Sequence, residues 1–417
     1  MGRARVGAVL AFTFLAYNAS VVLTSSGSAT SPGSGPPPQG QEIVQAPLNP
    51  QFVAYVNATA DERRVLARSA QGRPLGAIPP PLDLWRGRRP RVEGLPRDPL
   101  PTSYDLRTLG KVTGVRDQNP FGTCWAHATF GSMESALLTA ETWDFSENNL
   151  VNRAGFDLTF DQGGNYYMSS AYLARWDGPG NEADDVYPNP GASPVIAVRK
   201  HVQNVDFIPP RASPTDNSTL KQYVMDYGGV YTVMRWDDMS FNASTASFYY
   251  TGSDNTNHAV LIVGWDDAYP AANFSSLPPG NGAFLIKNSW GTSFGQSGYF
   301  WISYYDSSVA TANAMFFAPE PTDNYDNIYQ HDPLGWVSSL GYEAGDKTVA
   351  WFANIFTATG GQDVRAVSFY VGSANSPYEV YVYVNPTTSD PTSGTLGAAK
   401  TGTIASEGYH TVILDTA

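Results

Sequence analysis

The spacing of apolar positions changes three times along the chain. In Thr123–Glu141, Trp125, Ala128, Ser132, Ala136 and Ala140 recur at helical intervals, and the spacing predicts a helix. Ser146–Asn152, Tyr166–Trp176 and Ser218–Tyr227 also read as helices, the first with a serine N-cap followed by an acid. Continuous or alternating apolar runs then predict strands at Val230–Trp236, Ala259–Trp265, Ala283–Lys287 and Gly298–Tyr304. Beyond Phe317 the pattern shifts again. Thr348–Thr357, Val364–Val371, Tyr378–Asn385 and Tyr409–Leu414, separated by Gly/Pro/Ser/Asn turns, predict an all-β sandwich or jelly roll. Its sheet reads as incomplete, since the sequence stops just after a strand and leaves an unprotected edge. Ahead of these regions, Thr24–Gly40 is a Ser/Gly/Pro-rich spacer. Pro47–Leu100 carries one helix signal, the capping box Thr59–Glu62 leading into Arg63–Ser69. The rest of that stretch is expected to be extended by its prolines. The class is α+β, and 417 residues suggest two or three domains.

The N-terminus reads as an export signal: Arg3 and Arg5, an apolar stretch Val6–Tyr17, then small residues up to Ala29 as a cleavage point. The alternative is an uncleaved anchor over Val6–Leu23, the one reading that brings a membrane into play. An extracellular or cell-surface location is expected, and no later segment approaches transmembrane length. The net charge of −13 is uneven: residues 1–100 sum to +5 and residues 101–417 to −18. A basic leader suits docking on an acidic body, and the acidity argues against nucleic-acid binding by that body. The Arg86–Arg91 cluster is either a processing site or a solvated basic face.

A lone cysteine is most often a small buried hydrophobe. Cys124 has a different setting. Asn119-Pro120 and Gly122 hold off the helix until Thr123, so the sulfur lies in its first turn. There unpaired N–H groups and the helix dipole favour a thiolate. Acyl transfer also needs a base and a group to orient it. His258 opens the apolar strand Ala259–Trp265, and Asn288 follows the run Ala283–Lys287. His127, three residues after the cysteine, belongs to the turn behind it and is expected to be a packed, hydrogen-bonded residue.

Gln118-Asn-Pro-Phe-Gly-Thr-Cys-Trp-Ala126, Asn257-His-Ala-Val-Leu-Ile-Val-Gly264 and Lys287-Asn-Ser-Trp-Gly291 resemble, in order, the three active-site segments of papain-like cysteine proteases. Leu100-Pro-Thr-Ser-Tyr-Asp-Leu-Arg107 is similar to the start of their mature chains. Cys124 and His258 lie 134 residues apart, within the family's spacing of about 130–150. The resemblance implies a helical lobe facing a barrel-like β lobe across residues 101–318. It further implies peptide-bond hydrolysis by Cys124, His258 and Asn288, with Gln118 in the oxyanion hole. Trp290 would shield the His–Asn hydrogen bond, the loop of Gly163 and Gly164 would pair with substrate backbone, and Ala259 would help line the specificity pocket with Tyr166 and Tyr167. Phe121 and Asp161 stand where the family has the ends of one disulfide, and Arg153 at one end of another. No metal or other cofactor is implied. Residues 1–29 are then the leader, 30–100 a linker and short pro-segment lying along the cleft, and 319–417 a domain similar to the lectin-like module of some archaeal and bacterial surface proteases, with a carbohydrate or cell-surface ligand by analogy. The competing readings are an adhesive protein with an inactive protease-like domain, and a transglutaminase-like acyltransferase.

Overall fold

The computed structural model describes residues 5–12, 42–86, 99–342 and 350–415. They form two compact units. One comprises residues 48–328 and 332–337. The other comprises 338–417 and 329–331, with the described residues up to 47.

The larger unit begins with α1 (Pro50–Asn57) and α2 (Ala60–Leu66). α2 has the expected capping box: Thr59 accepts from the Glu62 N–H, and the Glu62 carboxylate accepts from the Thr59 N–H. α1 was not among the expected helices, although Asn49-Pro50 carries its start signal. The Asn49 side chain accepts from Gln51 N and proline fills the first helical position.

The helices α3 (Cys124–Leu137), α4 (Glu147–Arg153) and α5 (Tyr166–Ala174) build the first lobe, and α6 (Ser218–Tyr227) belongs to the second. α3 is buried on nearly every face because α4 and α5 cover one side and strands of the second lobe the other. Its buried hydroxyls are satisfied across these contacts: Ser132 donates to Gly229 O at 2.7 Å and Ser135 to Lys111 O at 2.6 Å. α3 ends sooner than the expected Glu141. Leu138 turns extended and Thr139 and Ala140 are exposed, so no buried face is left to hold another turn.

The second lobe is a long sheet in the order Asn204–Ile208, Asn313–Phe316, Val230–Met234, His258–Asp266, Ala283–Lys287, Tyr299–Ser303, Ser247–Phe248 and Phe241–Asn242. Ser103–Asp105 also pairs with His258–Asp266. Neighbours are antiparallel, save for Tyr299–Ser303 beside Ser247–Phe248. The strands at Asn204–Ile208 and Asn313–Phe316 were not expected. Trp236 anchors the apolar interior, with Phe248 at 4.9 Å, Trp290 at 4.6 Å and Phe294 at 5.7 Å between ring centroids.

In the smaller unit, one sheet runs Ala350–Thr357, Arg5–Phe12, Ser376–Val384, Thr395–Ile404. Ala366–Val371 pairs with Gly408–Ile413, and Ile43–Gln45 with Leu340–Tyr342. Phe369, Val371, Val380, Val382 and Val412 form its core, contributed by both strand sets. The ten-residue strand Thr395–Ile404 was not expected, because Gly, Ala and Lys give it little strand character of its own. Most of the expected leader, most of the arginine cluster and residues 343–349 lie outside the described residues. Among the described residues no helix is long and apolar enough to cross a membrane.

Candidate active site

Cys124 is the first residue of α3, with Thr123 as its N-cap. Its sulfur accepts the backbone N–H of Ala259 at 3.2 Å, which brings it to the start of the strand His258–Asp266. His258 Nε2 lies 2.8 Å from Asn288 Oδ1, and that oxygen also accepts the Ser289 N–H at 2.9 Å. The second bond fixes the amide orientation. Nε2 is therefore the protonated nitrogen, and Nδ1 carries the lone pair. Nδ1 is buried with no hydrogen-bond partner among the described residues. The Trp290 indole stacks on the imidazole at 4.6 Å and 18°.

Gln118 is oriented by the same corner. Its backbone N–H donates to Ser289 O at 2.8 Å, and its Oε1 accepts from the Ser289 hydroxyl at 2.7 Å. Nε2 is thereby turned inward, donating at 2.9 Å to both Phe121 O and Leu75 O. The Tyr187 hydroxyl donates to Gln118 O at 2.6 Å and lies 2.7 Å from the Thr123 hydroxyl, tying the turn to the start of α3. Ser289 and Tyr187 were not singled out in the sequence. Ser289 adjoins Asn288 and could have been considered; Tyr187 lies far from the other site residues in sequence, with no local pattern to mark it. His127 is buried, with Nδ1 3.0 Å from Thr123 O and its ring edge-on to Tyr187.

Residues 67–79 lie across these groups. Leu75 is fully buried, with its carbonyl on Gln118 Nε2. Trp290 Nε1 donates to Pro74 O at 2.8 Å. Gly76 O accepts from Gly164 N at 2.9 Å, Ile78 N donates to Gly164 O at 3.1 Å, and Ala77 forms a parallel bridge with Gly164. Gly163 has no room for a side chain here: with φ +85°, an added Cβ would sit 2.5 Å from Gly76 O. A Cβ on Gly164 would strike the Trp125 ring at 2.3 Å. Tyr166 and Tyr167 are buried against Phe207 at 4.9 and 4.6 Å.

Burial decides the charge state of this closed arrangement. The helix start was expected to favour a thiolate, yet desolvation pushes the Cys124 thiol up to about 12, outweighing the N–H groups that lower it. Desolvation likewise lowers His258 to about 4 against the opposing bond from Asn288. Burial thus favours the neutral thiol and the neutral imidazole while the site is covered.

Residues 100–318 match the family described as papain family cysteine protease, over half of the 417-residue sequence. The chain belongs to the papain family. Residues 328–417 match the lectin-like domain. Mouse cathepsin K is 30% identical over 222 residues, covering 52% of this chain and 60% of the cathepsin. A lobster (Homarus americanus) digestive cysteine proteinase is also 30% identical, over 225 residues, covering 51% of this chain and 66% of that one. The chain thus spans about 60% of the length of the first of these relatives. A structure of the cysteine protease and lectin-like domains of Cwp84, a surface layer associated protein of Clostridium difficile, shares the fold at a TM-score of 0.70 and 24% identity, covering 90% of this chain and 81% of that one. A clostridial Cwp84 structure after propeptide cleavage matches with TM-score 0.64 and 26% identity over 75% and 80% of the two chains. The papain-like domain followed by a lectin-like domain is thereby established as the architecture.

This papain-family protein replaces a covalent brace with weaker ones. At the two positions where the resemblance puts the ends of a family disulfide, the Asp161 carboxylate accepts the Gly122 N–H at 2.6 Å, while Phe121 packs edge-on against Phe160 at 5.1 Å. Asp161 also pairs with Arg68 at 2.7 Å, so one carboxylate contacts both the turn before Cys124 and the segment that covers it.

Proposed function

We propose that the protein is an exported cysteine endopeptidase, made as a zymogen whose pro-segment includes residues 67–79. The observation that carries this reading is the contact of the Cys124 sulfur with the N–H that follows His258, whose ring is held by Asn288. With the segment removed, water and the helix dipole regain access to the sulfur, and a proton passes from Cys124 to His258 Nδ1. The thiolate adds to the peptide carbonyl carbon, forming the S–C bond. Gln118 Nε2–H and the Cys124 N–H hold the oxyanion. The C–N bond then breaks as His258 delivers its proton to the amine. Water, deprotonated by His258, hydrolyses the thioester and frees the sulfur. Asn288 keeps the ring in register throughout, and Trp290 keeps water from that bond.

Support for the covered state comes from Leu75 O, which occupies the Gln118 donor that an oxyanion would use. Peptides and proteins are the expected substrates. The lectin-like domain suits a carbohydrate or cell-surface ligand, and the Cwp84 likeness supports a surface location. A thiol-directed epoxide should label the processed protein once per molecule, and Cys124→Ala should abolish both labelling and peptide cleavage. Labelling with no cleavage of any peptide would return the protein to an adhesive role. N-terminal sequencing of exported material tests the zymogen, since a start before Pro79 leaves the segment in place.

A further inference from the structure

A carboxylate outside the catalytic group is built into the same cleft. The Asp238 side chain is only 4% exposed and lies 3.6 Å from the Arg73 guanidinium. Trp236 Nε1 donates to its Oδ1 at 2.8 Å, and the Gln71 N–H to its Oδ2 at 2.8 Å. The Arg73 guanidinium carbon also lies 5.3 Å from the Trp290 ring centroid and 5.2 Å from that of Phe294. Trp290 is the ring that stacks on His258, so this pocket shares a wall with the candidate catalytic imidazole.

Its side of the cleft follows from the covering segment. Leu75 O marks the reacting carbonyl position at Gln118, and the residues that follow it, 76–78, pair with Gly164. Residues 71–74 lie on the other side, along Trp290 and Asp238. A peptide whose acyl half pairs with Gly164 places its leaving-group half there.

We propose that Asp238, Trp236, Trp290 and Phe294 form a leaving-group-side subsite for an arginine side chain of the substrate, a place held by Arg73 until the pro-segment departs. The inference rests on the peptidase reading above. Removal of the segment takes Arg73 and the Gln71 N–H away and leaves Asp238 with the Trp236 N–H alone. A substrate cation restores the lost partner. Arginine suits the site better than lysine because a planar, weakly hydrated guanidinium can stack on one of these rings and meet the other edge-on while donating to a carboxylate. The acidic balance of residues 101–417 draws basic peptides toward it.

The test uses quenched-fluorescence peptides differing only by Arg, Ala or Glu at each of the three positions after the cleaved bond. With the processed enzyme, kcat/KM for Arg exceeds that for Ala about tenfold at one position, and Glu falls below Ala. In Asp238→Asn, which retains an acceptor for Trp236, the Arg-to-Ala ratio falls toward one. No preference in the parent enzyme, or a preference that survives in Asp238→Asn, overturns the assignment while leaving the peptidase reading intact. A second readout needs no peptidase activity. In the intact protein, Arg73→Ala and Asp238→Asn each speed epoxide labelling of Cys124, and the double variant is no faster than the faster single one. Additive effects would show that the two side chains do not act as a pair, and the subsite would fall. Coupled labelling without cleavage of any peptide would sink the peptidase reading and keep the cation site.

Discussion

Gly76→Ala should unlock the covered thiol without touching a catalytic side chain. Gly76 has φ +127°, and an added Cβ would lie 2.1 Å from Gly122 O, 2.3 Å from its carbonyl carbon and 2.8 Å from its Cα. These are backbone atoms of the turn before Cys124 and cannot swing aside. An L-residue at that φ costs about 1–3 kcal/mol of strain. Moving the segment to relieve the overlap also sacrifices the Gly164–Gly76 and Gln118–Leu75 hydrogen bonds, at about 1 kcal/mol each. A destabilisation of the closed state by about 3 kcal/mol raises the open population roughly a hundredfold. The assay is the pseudo-first-order rate of epoxide labelling of the intact protein, read by mass at neutral pH. Gly110→Ala is the control, because Gly110 also has a positive φ (+66°) but a Cβ there meets nothing within 4 Å. Labelling of Gly76→Ala at the parental rate, in a protein that melts normally, would mean that residues 67–79 do not gate the sulfur.

Three further outcomes are expected. On the proposed mechanism Gln118→Ala removes one oxyanion donor and should lower kcat by about 10²–10³ with a much smaller change in KM; an unchanged kcat would take Gln118 out of the reaction. Asn288→Ala strips Nε2–H of its acceptor and uncovers the wrong tautomer, so kcat should fall at least tenfold and the acidic limb of its pH profile should shift. The third concerns Glu147, whose carboxyl burial raises to about 8, with Glu134 and Glu182 adding to the effect and Arg116 opposing it. The folded protein then holds a proton that the unfolded one has lost between pH 4.5 and 8, so stability declines as pH rises across that window. Urea titrations of Glu147→Gln should lose much of that alkaline decline, and an unaltered slope would show that the carboxyl does not titrate there. Between pH 4.5 and 6.5 His127 and His258, both lowered to about 4 by burial, oppose that decline because they take up protons as the fold opens, so the Glu147 effect is free of theirs only from about pH 6.5 to 8.

Local pattern alone determined a good part of this protein. The turn residues ahead of Thr123 place Cys124 at a helix start, the apolar run after Asn257 puts His258 at the head of a buried strand, and Ser218–Tyr227 was readable to the residue. Periodicity and capping act between neighbours a few residues apart, so one sequence displays them. Only the tertiary structure decided what surrounds the sulfur. Gln118 meets Leu75 across 43 residues, Ser289 orients Gln118 across 171, and Trp290 reaches Pro74 across 216. No repeat encodes such meetings; they arise when packing of the two lobes brings separate loops to one place. The upward shift of the Cys124 thiol is of the same kind, because the helix start that favours a thiolate is a local property, whereas the desolvation that opposes it comes from distant segments laid over the site.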